Sequence, residues 1–363
     1  MPFATANVSK PQPKEKASLP TIIPEGYQAT MDVCETERAI KFVKDHFERA
    51  LARRLSLNRI TAPLFVRADS GVQDNLNGVE RPIRFRVKGD GDRECEIVQS
   101  LAKWKRLALA KYGFAVEQGI YTDMNALRPD EDELDNLHSI YVDQWDWERV
   151  IRPEDRTLEC LQAVVRDIYA AIKDAEAEVD DAFPVLKPFL PDEIAFVHTE
   201  DLARQFPDAT SWQREAEACK AHGAVFLIGI GGELPGGRPH DGRAPDYDDW
   251  TTPTGPRTKG LNGDIFVWNP LLGIPFELSS MGIRVDAETM LRQLAIRGCT
   301  ERAELPWHRM LLGGELPQSV GGGIGQSRLC MLLLQKAHVG EVQVGLWPPD
   351  VQDACRQAGI PLL

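Results

Sequence analysis

Three groups of residues in this sequence have the types and spacing to handle phosphates and carboxylates. The run Gly321–Leu329, GGGIGQSRL, is a glycine-rich turn opening a helix, where bare backbone N–H groups let a phosphate approach closely. No Lys-Ser/Thr pair follows its last glycine, so it is not a P-loop, and no strand with the dinucleotide fingerprint precedes it. Arg328, just inside the helix, adds a cation for an anion; the alternative is a turn with tight helix packing. Arg128 ends an expected strand ahead of the acidic stretch PDEDELDN. Its guanidinium can hold a phosphate through two parallel hydrogen bonds, or pair structurally with Asp130, Glu131 or Asp132.

Carboxylates form the third group. Asp264 in GLNGDIF and Glu277 in FELSSMGIR fall on neighbouring expected strands. Two carboxylates plus phosphate oxygens make the hard, partly hydrated shell that Mg²⁺ takes; an ion pair with an arginine is the other reading for Glu277. Alternation in FELSSMGIR puts Glu277, Ser279, Met281 and Ile283 on one face, with Ser280 and Arg284 projecting differently if a bulge forms near Gly282. In YVDQWDWE, Asp143, Trp145 and Trp147 share one face and Gln144, Asp146 and Glu148 the other. Two tryptophans are poor surface residues, so the tryptophan side should be covered and the polar side should line a cleft. APDYDDW, residues 244–250, concentrates acid in a turn, as part of a site or as a solvated loop. The seven histidines are dispersed, and neither a zinc set nor a Ser/His/Asp order emerges.

These groups need a scaffold, and periodicity supplies one. Ile40, Val43, Phe47, Leu51 and Leu55 make a helical stripe, with Thr36 a candidate N-cap. LNRITAPLF reads as a short strand ended by Pro63. Ile83, Phe85 and Val87 alternate with basic residues in a strand beginning after Pro82. EIVQS leads into a short basic helix, LAKWKRLALAKYG, and PDEDELDN reads as a long loop between two strands. Leu158, Leu161, Val165, Ile168, Ile172 and Val179 mark a long amphipathic helix. IAFVH, AVFLIGIGG, DIFVWN and PFELSSMGIRV are further strands, followed by a helix near Ala287 and a final one after Gly325. Hairpin-clustered strands with helices between the groups indicate an α+β fold with a mostly antiparallel sheet flanked by helices. The prolines among residues 1–30 mark a flexible extension, leaving residues 31–363 as a single domain.

Bulk properties narrow the classes. The chain has 363 residues, 43% hydrophobic, and no apolar run near the roughly 20 residues that span a bilayer. No membrane role is expected, and the first residues lack the core of a signal peptide. Seven scattered cysteines without a CxxC pair suit free thiols in a reducing cytoplasm. A net charge of −13 without a basic tract disfavours nucleic acid as a partner.

In order and spacing, the helix and strand ending at Pro63, the Arg128–acidic loop–strand unit and GIGQSR before an apolar helix resemble the three motifs of the class II aminoacyl-tRNA synthetases. Longer strings narrow the resemblance: GVQDNLNG, SLAKWKR, ALRPDED, YVDQWDWERV, RAPDYDDW, GLNGDI, ELSSMGIRVD and GGGIGQSRL are similar to the ammonia-dependent aspartate–ammonia ligases, from about Thr36 to the C-terminus. The resemblance implies the class II catalytic fold, homodimers formed through the first motif, and a two-step reaction. Aspartate's β-carboxylate attacks the α-phosphate of ATP, and ammonia then displaces AMP. It implies Arg128 on the α-phosphate, Arg328 on the adenine or outer phosphates, and Asp264 and Glu277 on Mg²⁺. Arg284 is the choice for aspartate's α-carboxylate, with Ser279, Ser280, Ser100 and Lys105 nearby; Asp146 and Gln144 are candidates for its ammonium and neighbouring oxygens. Asp74 and Asp248 are acids of which one can hold ammonium and accept its proton, Asp248 standing also among the ATP candidates.

Three rivals remain. An aspartyl or asparaginyl tRNA-charging enzyme would bring an anticodon module and basic patches, which are not evident. A glutamine-dependent synthetase needs an N-terminal cysteine, and Cys34 lies deep in the chain. A non-catalytic amino-acid-binding paralogue should have lost Arg128, Glu277 or Arg328, and all three are present.

Overall fold

The computed structural model describes residues 21–74, 76, 80–131 and 133–363. Helix α1 (Val33–Leu55) opens on a capping box: Glu35 N donates to Asp32 Oδ1 at 2.8 Å and Asp32 N to Glu35 Oε2 at 3.2 Å. The cap is therefore Asp32, one turn before the expected Thr36, whose buried hydroxyl instead accepts from Lys336 Nζ at 3.1 Å. The stripe from Ile40 to Leu55 is buried, as its spacing requires. Where one strand ending at Pro63 was expected, there are two: β1 (Leu57–Arg59) and β2 (Phe65–Arg67), in different sheets, with Pro63 in the link between them. Proline's missing N–H suits such a break. β3 (Arg84–Val87) and β4 (Arg93–Ile97) join β2 in a three-stranded antiparallel sheet.

Helix α2 (Ala102–Tyr112) leads to β5 (Gly119–Leu127) and β6 (Tyr141–Val150), then to α3 (Leu158–Ala182). β7 (Ala195–His198), α4 (Thr199–Gln205), α5 (Ser211–His222) and β8 (Ala224–Ile228) follow. After a small hairpin of β9 (Pro253–Gly255) and β10 (Thr258–Lys259) come β11 (Asn262–Asn269) and β12 (Ile274–Ile283). α6 (Ala287–Arg297), α7 (Pro306–Leu312), β13 (Ser319–Gly325), α8 (Gln326–Leu333) and α9 (Pro349–Gln357) complete the chain. The helix after Gly325 is thus not the last; α9, opened by Pro349 in its first turn, follows it.

The main sheet runs β1-β5-β6-β13-β12-β11-β8-β7, antiparallel except for the parallel outer pairs β1–β5 and β7–β8. Its two faces differ as the tryptophans of β6 foretold. Trp145 and Trp147 are fully buried with Ile265, Met281 and Ile324 in the main core, and the Phe47 ring of α1 lies 4.6 Å from Trp145. On the opposite face Asp146 and Glu148 stand beside Gly323 and Gly321, their partners in register on β13. One end of that face is covered by α2, whose charges turn inward: Lys103, Lys105 and Arg106 are all buried.

Of the extension expected over residues 1–30, residues 1–20 lie outside the described residues, and the rest is held to the body. Ile22 N donates to Asn136 Oδ1 at 2.7 Å, and the Tyr27 hydroxyl donates to Glu341 Oε2 at 2.9 Å. No helix among the described residues is long and apolar enough to cross a membrane.

Candidate active site

The polar face opens into a cleft that gathers residues far apart in the chain. Arg128 and Gln144 come from the β5–β6 hairpin, Glu277, Ser279 and Ser280 from β12, and Arg328 from the first turn of α8. Arg328 Nη1 donates to Glu277 O at 3.1 Å and lies 3.3 Å from Glu277 Oε2. Arg128 Nη2 donates to Gln99 O at 3.2 Å, while its Nε has no partner among the described residues. Of the structural partners weighed for Arg128, Asp130 is bound by Arg81, whose guanidinium holds that carboxyl down at about 2. Asp132 lies outside the described residues. Gln343, unnoticed in the sequence, also lines the cleft, its Nε2 donating to Ser327 Oγ at 2.9 Å and its Oε1 without a partner among the described residues.

Glu277 reaches the cleft because β12 is bulged, though not near Gly282 as expected. The register with β11 shifts between Ile265 and Phe266, so that Leu278 is the extra residue. Leu278, Met281 and Ile283 turn into the main core, whereas Ser280 turns to the cleft and accepts from Arg243. The expected face of Glu277, Ser279, Met281 and Ile283 is therefore split. Ser279 is buried, and its hydroxyl donates to Gly323 O at 2.9 Å.

The glycine run also differs from its sequence reading. Gly321–Gly325 belong to the central strand β13 rather than to a turn, with the helix beginning at Gln326. What the glycines give is room. A Cβ on Gly321 would lie 1.9 Å from Glu148 Oε2, and one on Gly323 would lie 2.3 Å from Gln144 Oε1 and 2.6 Å from Asp146 Oδ1.

Beneath the cleft lies an inner group of charges. Arg284 forks onto Glu148, with Nε to Oε1 at 3.0 Å and Nη2 to Oε2 at 2.8 Å, and its Nη1 donates to Asp248. One N–H on each terminal nitrogen remains for a ligand. Ser319 Oγ donates to Glu148 Oε1 at 2.7 Å. Burial works to raise the Glu148 carboxyl, but Arg284, Lys105 and Ser319 outweigh it and hold it low. Lys105 Nζ donates to Gly322 O at 2.7 Å and sits 3.2 Å from Asp146 Oδ2; burial, with Arg284 nearby, pulls its ammonium below the ordinary lysine range. Asp248 lies with this inner group, clamped by Arg284 and 3.6 Å from Arg243 Nε.

Arg243, which the sequence reading did not single out, bridges the two levels. Its Nη2 donates to Asp264 Oδ1 at 2.5 Å and its Nη1 to Ser280 Oγ. Its only signal was its place at the head of the string RAPDYDDW. Asp264 is pushed up to about 7 by burial, against the pull of Arg243 and with the Glu277 charge adding to the rise. Two carboxylates placed so that the charge of Glu277 bears on Asp264 suit a shared divalent cation. No cluster of three or more His, Cys, Asp or Glu ligands occurs among the described residues, so such an ion would complete its shell with phosphate oxygens and water.

Asp74 lies on the loop between β2 and β3 of the small sheet. It is buried, accepts from Leu76 N at 2.9 Å, and its own N–H donates to Gln73 Oε1 at 3.2 Å. Burial raises its carboxyl and the Asp246 charge adds to the rise, while Lys103, Leu76 N and Ser100 oppose it. Ser100 Oγ accepts from Ala102 N at 3.1 Å at the head of α2. Asn75, beside Asp74, lies outside the described residues. Thus Arg128, Gln144, Ser280, Glu277 and Arg328 meet in the cleft, and Lys105, Asp146, Asp248 and Arg284 below it.

Residues 34–359 match the family model described as aspartate–ammonia ligase. The aspartate–ammonia ligase of Clostridium tetani is 55% identical over 348 residues, covering 96% of this chain and 99% of the relative. That of Parabacteroides distasonis is 53% identical over 342 residues, covering 94% and 99%. Among solved structures, asparaginyl-tRNA synthetase from Pyrococcus horikoshii complexed with asparaginyl-adenylate superimposes with a TM-score of 0.64 at 15% identity, over 86% of this chain and 70% of that one. Aspartyl-tRNA synthetase from Entamoeba histolytica gives 0.58 at 14% identity, over 86% and 58%. At such identities the likeness concerns the fold, which is that of the class II synthetase catalytic domain.

Proposed function

The chain belongs to the aspartate–ammonia ligase family, and from that premise we propose how its residues divide the work of converting aspartate, ATP and ammonia into asparagine, AMP and diphosphate. The observation that carries the division is the two-level site: two arginines on an open cleft, above a buried row of carboxylates and their cations.

ATP takes the cleft. Arg128, with an unused Nε, holds the α-phosphate, and Arg328 lies along the outer phosphates or the adenine. Aspartate takes the inner level. The spare N–H groups of Arg284 receive its α-carboxylate, and Asp146 and Gln144 receive its ammonium, with Lys105, Ser100, Ser279 and Ser280 around them. An oxygen of the β-carboxylate then forms a bond to the α-phosphorus as the bond to the β-phosphate bridge breaks, so that diphosphate leaves. Negative charge grows on the α-phosphate oxygens at that moment, where preplaced guanidinium groups stabilise it most. Asp264 and Glu277 would hold Mg²⁺, which supplies neutralisation of the triphosphate charge when bound. In the second step the nitrogen lone pair of ammonia attacks the β-carbonyl carbon, the acyl–phosphate bond breaks, and AMP leaves. Asp74 holds ammonium and accepts its proton, Asp248 being tied to two arginines.

A homodimer, a cytoplasmic setting and no nucleic-acid partner complete the reading. β1 stands at a sheet edge, all seven cysteines are unpaired thiols, and the net charge is −13. Aspartate-dependent exchange of labelled diphosphate into ATP isolates the first step. It should collapse in Arg128→Ala, while Asp74→Asn should lower asparagine formation with ammonium far more than exchange. Equal losses in both steps for both variants would refute the division.

A further inference from the structure

One residue of the cleft has no part in either step: Gln343, in the turn after α8, which is 6% exposed. Its amide is held by the nitrogen. Nε2 donates to Ser327 Oγ at 2.9 Å and to Asp143 Oδ1 at 3.3 Å, which uses both of its N–H groups. Asp143 is fixed in turn. Its Oδ1 accepts from Ser327 N at 3.0 Å, in the first turn of α8, and its Oδ2 from Lys44 Nζ at 3.1 Å. Turning the amide over would set Oε1 against that carboxylate, acceptor against acceptor, so Asp143 decides which way the amide faces. Oε1 is left with no partner among the described residues. A buried acceptor without a donor is costly, and a bound ligand can supply one.

The neighbouring walls are apolar. Val339, from the same turn, and Leu137, from the loop between β5 and β6, line the cleft with Gln343. The two segments are tied together, Val339 N donating to Asn136 O at 2.8 Å and Asn136 Nδ2 to Ala337 O at 2.7 Å. An acceptor here does not suit a phosphate, whose oxygens are acceptors too. The only donors that ATP offers are its ribose hydroxyls and the exocyclic amino group of adenine. Of these, the amino group sits on a flat, weakly polar ring, which is what apolar walls hold. Aspartate's ammonium, the other donor among the substrates, has its place at the inner level.

We propose that Gln343 selects adenine: its Oε1 accepts a hydrogen bond from the exocyclic amino group of ATP's base, between the walls made by Leu137 and Val339. The proposal rests on the reading that ATP takes the cleft. A purine with a keto oxygen at that ring position would place acceptor against acceptor. One with only hydrogen there would leave Oε1 unpaired. Both are therefore disfavoured.

The test compares kcat/KM of the full-length enzyme for ATP, purine riboside triphosphate and inosine triphosphate, at saturating aspartate and ammonium. Wild type should prefer ATP to purine riboside triphosphate by about two- to tenfold, the worth of one neutral hydrogen bond, and to inosine triphosphate by more. Gln343→Met, which removes the acceptor and keeps much of the volume, should bring the three nucleotides within about twofold of one another, chiefly through a higher KM for ATP. A wild type that takes all three equally overturns the proposal without any variant. So does a Gln343→Met enzyme that loses rate on all three alike, the mark of a merely structural residue. A Gln343→Met enzyme that still prefers ATP to the two analogues, but no longer rejects 2′- or 3′-deoxy-ATP, would give the acceptor to the ribose and overturn the choice of adenine. Arg328→Ala separates the two readings. If it leaves KM for ATP unchanged, the placing of ATP in the cleft fails; if it raises KM while Gln343→Met keeps the wild-type nucleotide preference, only the Gln343 proposal fails.

Discussion

Gly321 of β13 lies in register opposite Glu148 of β6, and the space a Cβ would fill is occupied by the Glu148 carboxylate, 1.9 Å away. That carboxylate is the anchor of Arg284, so the absence of one methyl group lets a buried ion pair form in the middle of a sheet. Gly321→Ala should displace Glu148 and leave a buried charge short of its partner, a loss of about 3–5 kcal/mol. Denaturant unfolding would measure it. A variant as stable as wild type would show that the fork is dispensable.

The two cleft arginines should fail differently. The proposed division puts Arg128 where charge develops, so Arg128→Ala should lower kcat by roughly 10²–10³-fold. It gives Arg328 the grip on the nucleotide, so Arg328→Ala should raise KM for ATP about tenfold or more with a smaller change in kcat. Steady-state kinetics with ATP varied decides; identical patterns would contradict the assignment.

Asp264→Asn and Glu277→Gln should each raise the Mg²⁺ concentration needed for half-maximal rate by about tenfold or more, because each removes one of the two hard oxygen ligands proposed for the ion. A magnesium titration at saturating ATP reads this directly. Unchanged half-saturation in both variants would place the ion elsewhere.

His338 supplies a stability switch away from the chemistry. It is buried, its Nδ1 accepts from Gly340 N at 3.0 Å, and its ring stands edge-on to Trp347 at 4.7 Å. Burial pulls it down to about 4 from the ordinary 6.5. The folded state therefore resists a proton that the unfolded chain accepts. Its contribution is complete above pH 6.5 and is lost as the pH falls toward 4, at about 1.4 kcal/mol per pH unit. Urea unfolding of wild type and His338→Gln across that window should show wild-type stability falling relative to the variant's with that slope as the pH drops; a constant difference would contradict it.

Much of this architecture was legible because it depends on period. The stripe of α1 and the two faces of Tyr141–Val150 need only helical and strand spacing, and both are built as read. Spacing does not reveal a bulge. Leu278 shifts the phase of β12, and only pairing with β11 shows that Glu277 and Ser280 share the cleft while Met281 does not. The run Gly321–Gly325 was taken for a turn because glycine usually serves one. Its purpose is volume, visible only once Glu148, Gln144 and Asp146 lie beside it. Resemblance alone placed Lys105 beside aspartate and nothing singled out Lys103; their burial follows from carboxylates contributed by other elements, Asp246 and Asp146.

The central claim is that this chain joins ammonia to aspartate through an adenylate. The direct measurement is asparagine and AMP formation from aspartate and Mg-ATP, run once with ammonium chloride and once with glutamine. Asparagine and AMP rising together with ammonium, in equal amounts and with little product from glutamine, is the predicted result. Diphosphate exchange without asparagine, or no ATP turnover from a folded sample, would contradict it.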